Sequence, residues 1–330
     1  TALSATCSTD CVACVAAHAN LAVKQADFCF RESCHAFATH FPYLIATERH
    51  KMEMALLSMH LCVESMVQSV SALRIGMRVL RLPAIHHDAN LVVIDGSMGN
   101  LLIDAGTSWY QGLQVERIKG VLGGDAELDR ILLTSKRYPC SGGALHLSES
   151  FNGCAVHVHP DGQGALETGD FFTTWANRFD SDMPPIKAEK VDDGEVFALG
   201  NGQVECISIP GHSSDGMGYW IPDQKMMVVG TLIPRADRPT RWDLPGGCLP
   251  DLINSLRRIL SFQPKSLIPL QGPAIKGEKH IREVIEQHID FFQKCLDDDG
   301  QVSRSVPRPA QTALWYTPHP PWPLEENESL

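Results

Sequence analysis

Short runs of β-branched and leucine residues, each closing on a glycine-bearing turn, recur along the middle of the chain and constrain its fold more than any other feature. Residues 90–94 and 100–104 flank Asp95-Gly96-Ser97-Met98-Gly99 and read as a β-hairpin. The second run closes on Asp104-Ala105-Gly106. Residues 131–133 lead into Thr134-Ser135-Lys136-Arg137-Tyr138-Pro139-Cys140-Ser141-Gly142-Gly143, and residues 204–209 into Pro210-Gly211-His212-Ser213-Ser214-Asp215-Gly216. Residues 226–229 end in Gly230-Thr231-Leu232, and residues 266–269 in Leu270-Gln271-Gly272-Pro273. Helical periodicity appears at 250–260 and at 278–297, the latter with apolar residues at Ile281, Val284, Ile285, Ile289, Phe292 and Cys295. Strands interleaved with amphipathic helices are the texture of an α/β domain.

Taken in order, these turns resemble the signature of the metallo-β-lactamase superfamily. The run 131–143 is similar to a hydrophobic strand followed by Thr-His-x-His-x-Asp-His-x-Gly-Gly. The other turns are similar to Asp-x-Gly, Pro-Gly-His-Thr-x-Gly, Gly-Asp-x-Leu and Pro-Gly-His-Gly-Pro. The resemblance implies a four-layer αββα sandwich, and its motif texture is similar to the glyoxalase and thioesterase-like hydrolases of that superfamily. Active members hold one or two zinc or iron ions with five histidines and two aspartates. Those positions here read Ser135, Arg137, Pro139, Cys140, His212, Thr231 and Gln271, so His212 alone keeps its residue type.

A zinc site takes about three or four imidazole, thiolate or carboxylate ligands, and Cys140 with His212 supplies two. Both carboxylates that would offset the dication are replaced, and Arg137 places a permanent guanidinium in the same turn. Without the metal the family's route to hydroxide at neutral pH is lost. The expectation is therefore a vestigial site with no catalytic residue, no bound metal and no cofactor. Two alternatives stay open: a thiol-dependent or single-metal enzyme repurposed around Cys140, Arg137 and His212, and a small-molecule pocket with Arg137 as anion anchor. Asp104 is expected to orient the neighbouring turn, and His157 and His159 to share one face of a strand.

Residues 1–76 have a different texture. They hold six of the 11 cysteines and almost no proline or glycine, and segments 11–25, 28–40 and 43–75 read as helices. Cys7, Cys11 and Cys14 on one segment and Cys29 and Cys34 on the next loosely resemble twin-cysteine hairpins joined by disulfides in oxidising compartments. Structural thiols, a metal cluster joined by His18 and His35, and redox chemistry are the competing readings. The sequence thus divides into a cysteine-rich helical extension (1–76), the metallo-β-lactamase-like domain (77–300) and a tail (301–330) with Trp315, Trp322 and many prolines. Proline excludes regular structure from that tail, and its tryptophans favour burial in a groove of a partner or of its own domain.

With 44% hydrophobic residues in a 330-residue chain, a sizeable core is assured, and the net charge of −11 argues against general nucleic-acid binding. No apolar run is long enough for a transmembrane helix. The function expected from sequence is a non-catalytic, structural or accessory subunit of a larger protein assembly, joined through the N-terminal helices and the C-terminal tail. The hairpin cysteines point to an organelle, the mitochondrion in particular.

Overall fold

The computed structural model describes residues 76–123, 127–318 and 322. The helices and cysteine pairs expected in residues 1–75 lie outside them.

The hairpin forms as β2 (Leu91–Gly96) and β3 (Gly99–Ile103), with the strands reaching into the expected loop so that Gly96 faces Gly99 across Ser97 and Met98. With β1 (Arg78–Leu82), β4 (Arg130–Leu132), β5 (Ala155–Val158) and β6 (Glu189–Lys190) they make one six-stranded sheet in the order β1-β2-β3-β4-β5-β6. A second six-stranded sheet runs β12-β11-β10-β9-β8-β7. Its strands are β7 (Val196–Ala198), β8 (Gln203–Ser208), β9 (Met217–Ile221), β10 (Met226–Gly230), β11 (Ser266–Pro269) and β12 (Ile275–Lys276).

The central strands read as unbroken apolar runs because both of their faces are covered. Side chains alternate across a strand, so Leu91 and Val93 enter a core on the outer side of the first sheet while Val92 and Ile94 enter the core between the sheets. That inter-sheet core also takes Ile103 and Leu132 from the first sheet and Cys206, Tyr219 and Val228 from the second. Outside the first sheet lie α1 (Gln111–Leu122), the short α2 (Tyr138–Ser141), α3 (Ala144–Ser150) and α4 (Pro160–Thr168). Outside the second lie α5 (Leu249–Ser261) and α6 (Glu278–Asp297). The arrangement is the four-layer αββα sandwich.

The two long helices follow their apolar spacing. In α5, Leu252, Ile253, Leu256 and Ile259 bury one stripe, Pro250 starts the helix where its missing N–H costs nothing, and Asp251 and Arg258 suit the positive and negative ends. The bounds of α6 coincide with the periodic run 278–297.

One expectation about the first sheet is corrected. His157 and His159 do not share a strand face: β5 ends at Val158, and the His159 ring accepts a hydrogen bond from the Asp161 backbone N–H at 3.2 Å as the cap of α4. Proline at position 160 ends the strand by fixing a helical φ. His157 stays in the strand, buried against Phe197 with Glu189 3.8 Å away.

The tail takes one of the two surfaces left open to it. Residues 310–318 lie on their own domain, where Thr240 and Trp315 form a β-bridge and the Arg241 N–H donates to Leu314 O at 3.0 Å. Trp175 Nε1 donates to Gln311 O at 3.0 Å, and Trp322 packs edge-on against His288 with ring centres 4.9 Å apart. An apolar tail folds back because the loop at 235–247 offers it both backbone partners and aromatic surface. Among the described residues no helix is long and apolar enough to cross a membrane.

Candidate functional site

All four ligand-bearing turns of the family pattern start where a strand ends: 133–143 after β4, 209–216 after β8, 230–232 after β10 and 270–273 after β11. Glycines hold the close approaches. Gly230 has φ +47°, and a Cβ there would lie 2.3 Å from Thr134 Oγ1, so the first and third turns touch only because this residue has no side chain.

Arg137 stands at the centre, with no solvent exposure. Its Nε donates to His212 Nε2 at 3.3 Å, Nη1 to Thr173 O at 2.6 Å, and Nη2 to Pro245 O at 2.8 Å and His212 O at 3.4 Å. The fixed fork of five N–H donors suits several carbonyls at once, which an ammonium on a flexible stem would satisfy less well. Burial lowers the guanidinium to about 10, opposed chiefly by Asp215, so it stays charged at neutral pH.

His212 is fully buried and held neutral. Its Nδ1 lies 2.7 Å from Arg241 O and 3.0 Å from Thr240 Oγ1; the carbonyl can only accept, so Nδ1 carries the proton. The Nε2 lone pair is then free to accept from Arg137. Burial first, and then the neighbouring Arg137 charge, depress the imidazole to about 3. The lone pair that a metal ion would need is taken by a guanidinium N–H.

The remaining positions have structural uses. Ser135 Oγ donates to Asp215 at 3.4 Å, Pro139 O accepts from the Ala89 N–H at 2.9 Å, and Gln271 Nε2 donates to the carbonyls of His86 and Asp88 at 3.0 and 2.9 Å. Thr231 is buried beside the Gly230 turn. Cys140 has no exposure, and its sulfur lies 3.5 Å from Thr134 Oγ1. Burial, reinforced by Asp104, pushes its thiol well above the ordinary range. Full burial and the raised thiol count against a nucleophilic role for Cys140, since a thiolate there has no solvent around it. Peptide mapping after iodoacetamide treatment of the native protein at pH 8 is expected to find Cys140 unmodified while the half-buried Cys248 reacts, with Cys140 alkylated only after denaturation.

The anion-anchor expectation for Arg137 is corrected as well. Its donors are consumed by protein acceptors, and nothing on it reaches solvent. A metal does not fit this donor set either: Ser, Arg, Pro, Thr and Gln stand at the family's ligand positions, burial holds the Cys140 thiol well above its ordinary range, and His212 is engaged by Arg137. Among the described residues no three His, Cys, Asp or Glu side chains gather as a metal-binding group.

Two residues passed over in the sequence complete the site. Asp215 is fully buried, accepts from the Lys136 N–H and the Ser213 hydroxyl, and lies 3.6 Å from Lys136 Nζ. Burial raises its carboxyl, but Lys136 and the hydrogen bonds outweigh that and hold it below the ordinary range. The signal was available: Lys136 and Asp215 are opposite charges in two turns that the fold must bring together.

Asp104, at φ +62°, orients the turn, accepting from Thr134 N at 2.8 Å and from Thr134 Oγ1 at 2.8–2.9 Å. Desolvation raises it to about 7. A raised carboxyl favours the folded state while protonated, so its contribution is full below about pH 4 and is lost as the pH rises through 7. Chemical denaturation of wild type and Asp104→Asn is expected to show the wild type gaining on the variant as the pH falls from 7 to 4. His212 acts in the opposite sense, since its depressed imidazole costs stability as the pH falls from about 6.5 toward 3.

The order of these turns and the sandwich that carries them define a metallo-β-lactamase fold. The family model of the metallo-beta-lactamase superfamily matches residues 86–269, and the chain belongs to that superfamily. Among curated proteins it is 26% identical over 252 residues to the acyl-coenzyme A thioesterase MBLAC2 of Gallus gallus, covering 69% of this chain and 87% of that one. It is 23% identical over 208 residues to the atrochrysone carboxyl ACP thioesterase of Aspergillus fumigatus, covering 62% and 56%. Of solved structures, the BLEG-1 B3 metallo-beta-lactamase superposes with a TM-score of 0.53 at 19% identity, over 64% of this chain and 97% of that one. The metallo-beta-lactamase family protein TTHA1429 from Thermus thermophilus gives 0.54 at 18%, over 68% and 81%.

Proposed function

We propose that the chain is a non-catalytic member of its superfamily, a metal-free body that serves as a structural or accessory subunit of a larger protein assembly. The observation that carries this reading is the Arg137 fork: a buried cation bonded to His212 Nε2 stands where a dication would need ligands, and its charge opposes one arriving. The tail supports it too. Leu314 packs with Ala89, Cys140, Leu244 and Leu270 in one buried apolar cluster, so the region above the site is filled by the chain itself. In this reading the extension 1–76, with six of the 11 cysteines, contributes to the assembly role.

A second reading, a thioester hydrolase acting through the same site, is favoured by the likeness to the two thioesterases. One experiment separates them. After incubation with zinc or iron and gel filtration, the protein is expected to carry no stoichiometric metal and to hydrolyse acyl-coenzyme A at the buffer rate. Stoichiometric metal together with hydrolysis above buffer would establish the second reading. Size-exclusion chromatography of native material, with mass spectrometry of what co-elutes, tests the assembly: a chain that migrates alone as a monomer removes the subunit role.

A further inference from the structure

The tail that covers the vestigial site also encloses something of its own. A cavity of about 280 Å³ lies between residues 307–317 and the loops that carry His87 and Arg238. Its walls include Arg238, Arg308, Trp315, Pro307 and Pro309, and among the described residues no aspartate or glutamate lines it. In a chain with 39 acidic and 28 basic residues, a hollow whose described lining carries two guanidiniums and no carboxylate is a local reversal of sign.

The charge in this hollow is only partly neutralised. Among the described residues Asp237 is the carboxylate paired with Arg238, and it is shared: its oxygens lie 2.9 Å from Arg235 Nε and 3.7 Å from Arg238 Nε. Arg238 Nε is buried and makes no hydrogen bond among the described residues. The Arg238 guanidinium stacks 5.5 Å from the centre of the Trp315 ring, a contact that uses its face and leaves its N–H edges available. Arg308 is exposed and flanked by prolines, which stiffen the backbone that presents it.

We propose that this hollow binds a small phosphate monoester carrying an apolar ring, with Arg238 and Arg308 on the phosphate and the ring against Trp315 and the prolines. Two guanidiniums match a dianion, since each can offer paired N–H donors to phosphate oxygens. The apolar wall disfavours a bare, strongly hydrated anion, and the cavity volume falls just under the roughly 300 Å³ at which ligand pockets begin. The site is separate from Arg137, whose donors are already filled, and goes beyond the structural role proposed above without depending on it.

Titration calorimetry of the full chain tests this with phenyl phosphate, inorganic phosphate and benzoate as probes. Phenyl phosphate is expected to bind one per chain, at least ten-fold more tightly than either of the others. The pair R238Q/R308Q should lower that affinity ten-fold or more. R308Q alone, at an exposed loop position that leaves folding intact, should lower it at least three-fold, and rising salt should weaken binding. Equal affinity for inorganic phosphate or benzoate, unchanged binding in R308Q, or no phenyl phosphate binding would each overturn the assignment.

Discussion

Arg137→Ala is expected to cost roughly 3–5 kcal/mol of folding stability, the range for removing one partner from a buried charged network. The substitution strips donors from Thr173 O, Pro245 O and His212 Nε2 and leaves a side-chain-sized void. Each buried acceptor left without a partner costs about 1–3 kcal/mol, and partial collapse of the void offsets some of that sum. Arg137→Lys keeps the charge but loses the planar fork, so an intermediate loss of about 2 kcal/mol is expected. Urea denaturation at pH 7 reads both. A loss below about 0.5 kcal/mol in the alanine variant would mean that the guanidinium carries no structural role, the range expected of a surface substitution.

The second large effect belongs to the tail. Leu314→Ala should destabilise the protein by roughly 2–5 kcal/mol, as burial of a leucine in a close-packed cluster requires. Leu314 is 1% exposed and shares its cluster with Cys140, Leu244 and Leu270. The same variant should expose Cys140 to alkylation in the native protein, because the two residues share one buried cluster and the truncation opens it. Stability and labelling within error of wild type would show that the tail rests on the domain without sealing it. Trp322→Ala provides the contrast: this ring is half-buried against His288 and Phe291, and a smaller loss, about 1 kcal/mol, is expected.

Much of the fold was legible because strands and helices write their periods locally. The runs at 90–94 and 100–104 overlap observed strands, 226–229 lies within one, and 278–297 is a helix with the same bounds. The identity of the side chains in the family's turns was legible too, since it is read residue by residue. His159 was misplaced because alternation continued past the point where Pro160 ended the strand. The acceptors of Arg137 escaped notice for a different reason: backbone carbonyls carry no residue identity, and those of Thr173 and Pro245 lie 36 and 108 residues away. The tail was ambiguous because apolar burial is non-directional and specifies no particular surface.

By itself, then, the sequence determined the strand and helix pattern of an α/β body and which side chains, such as Ser135, Arg137, Thr231 and Gln271, stand in its turns, because periodicity and donor chemistry are properties of residues in order. Only the tertiary structure decided what those side chains meet. It placed the Arg137 guanidinium on His212 and two distant carbonyls, and it gathered Leu314 and Cys140 into one buried cluster. Those outcomes depend on which loops the two packed sheets bring within hydrogen-bond reach, a matter of long-range geometry that local pattern does not encode.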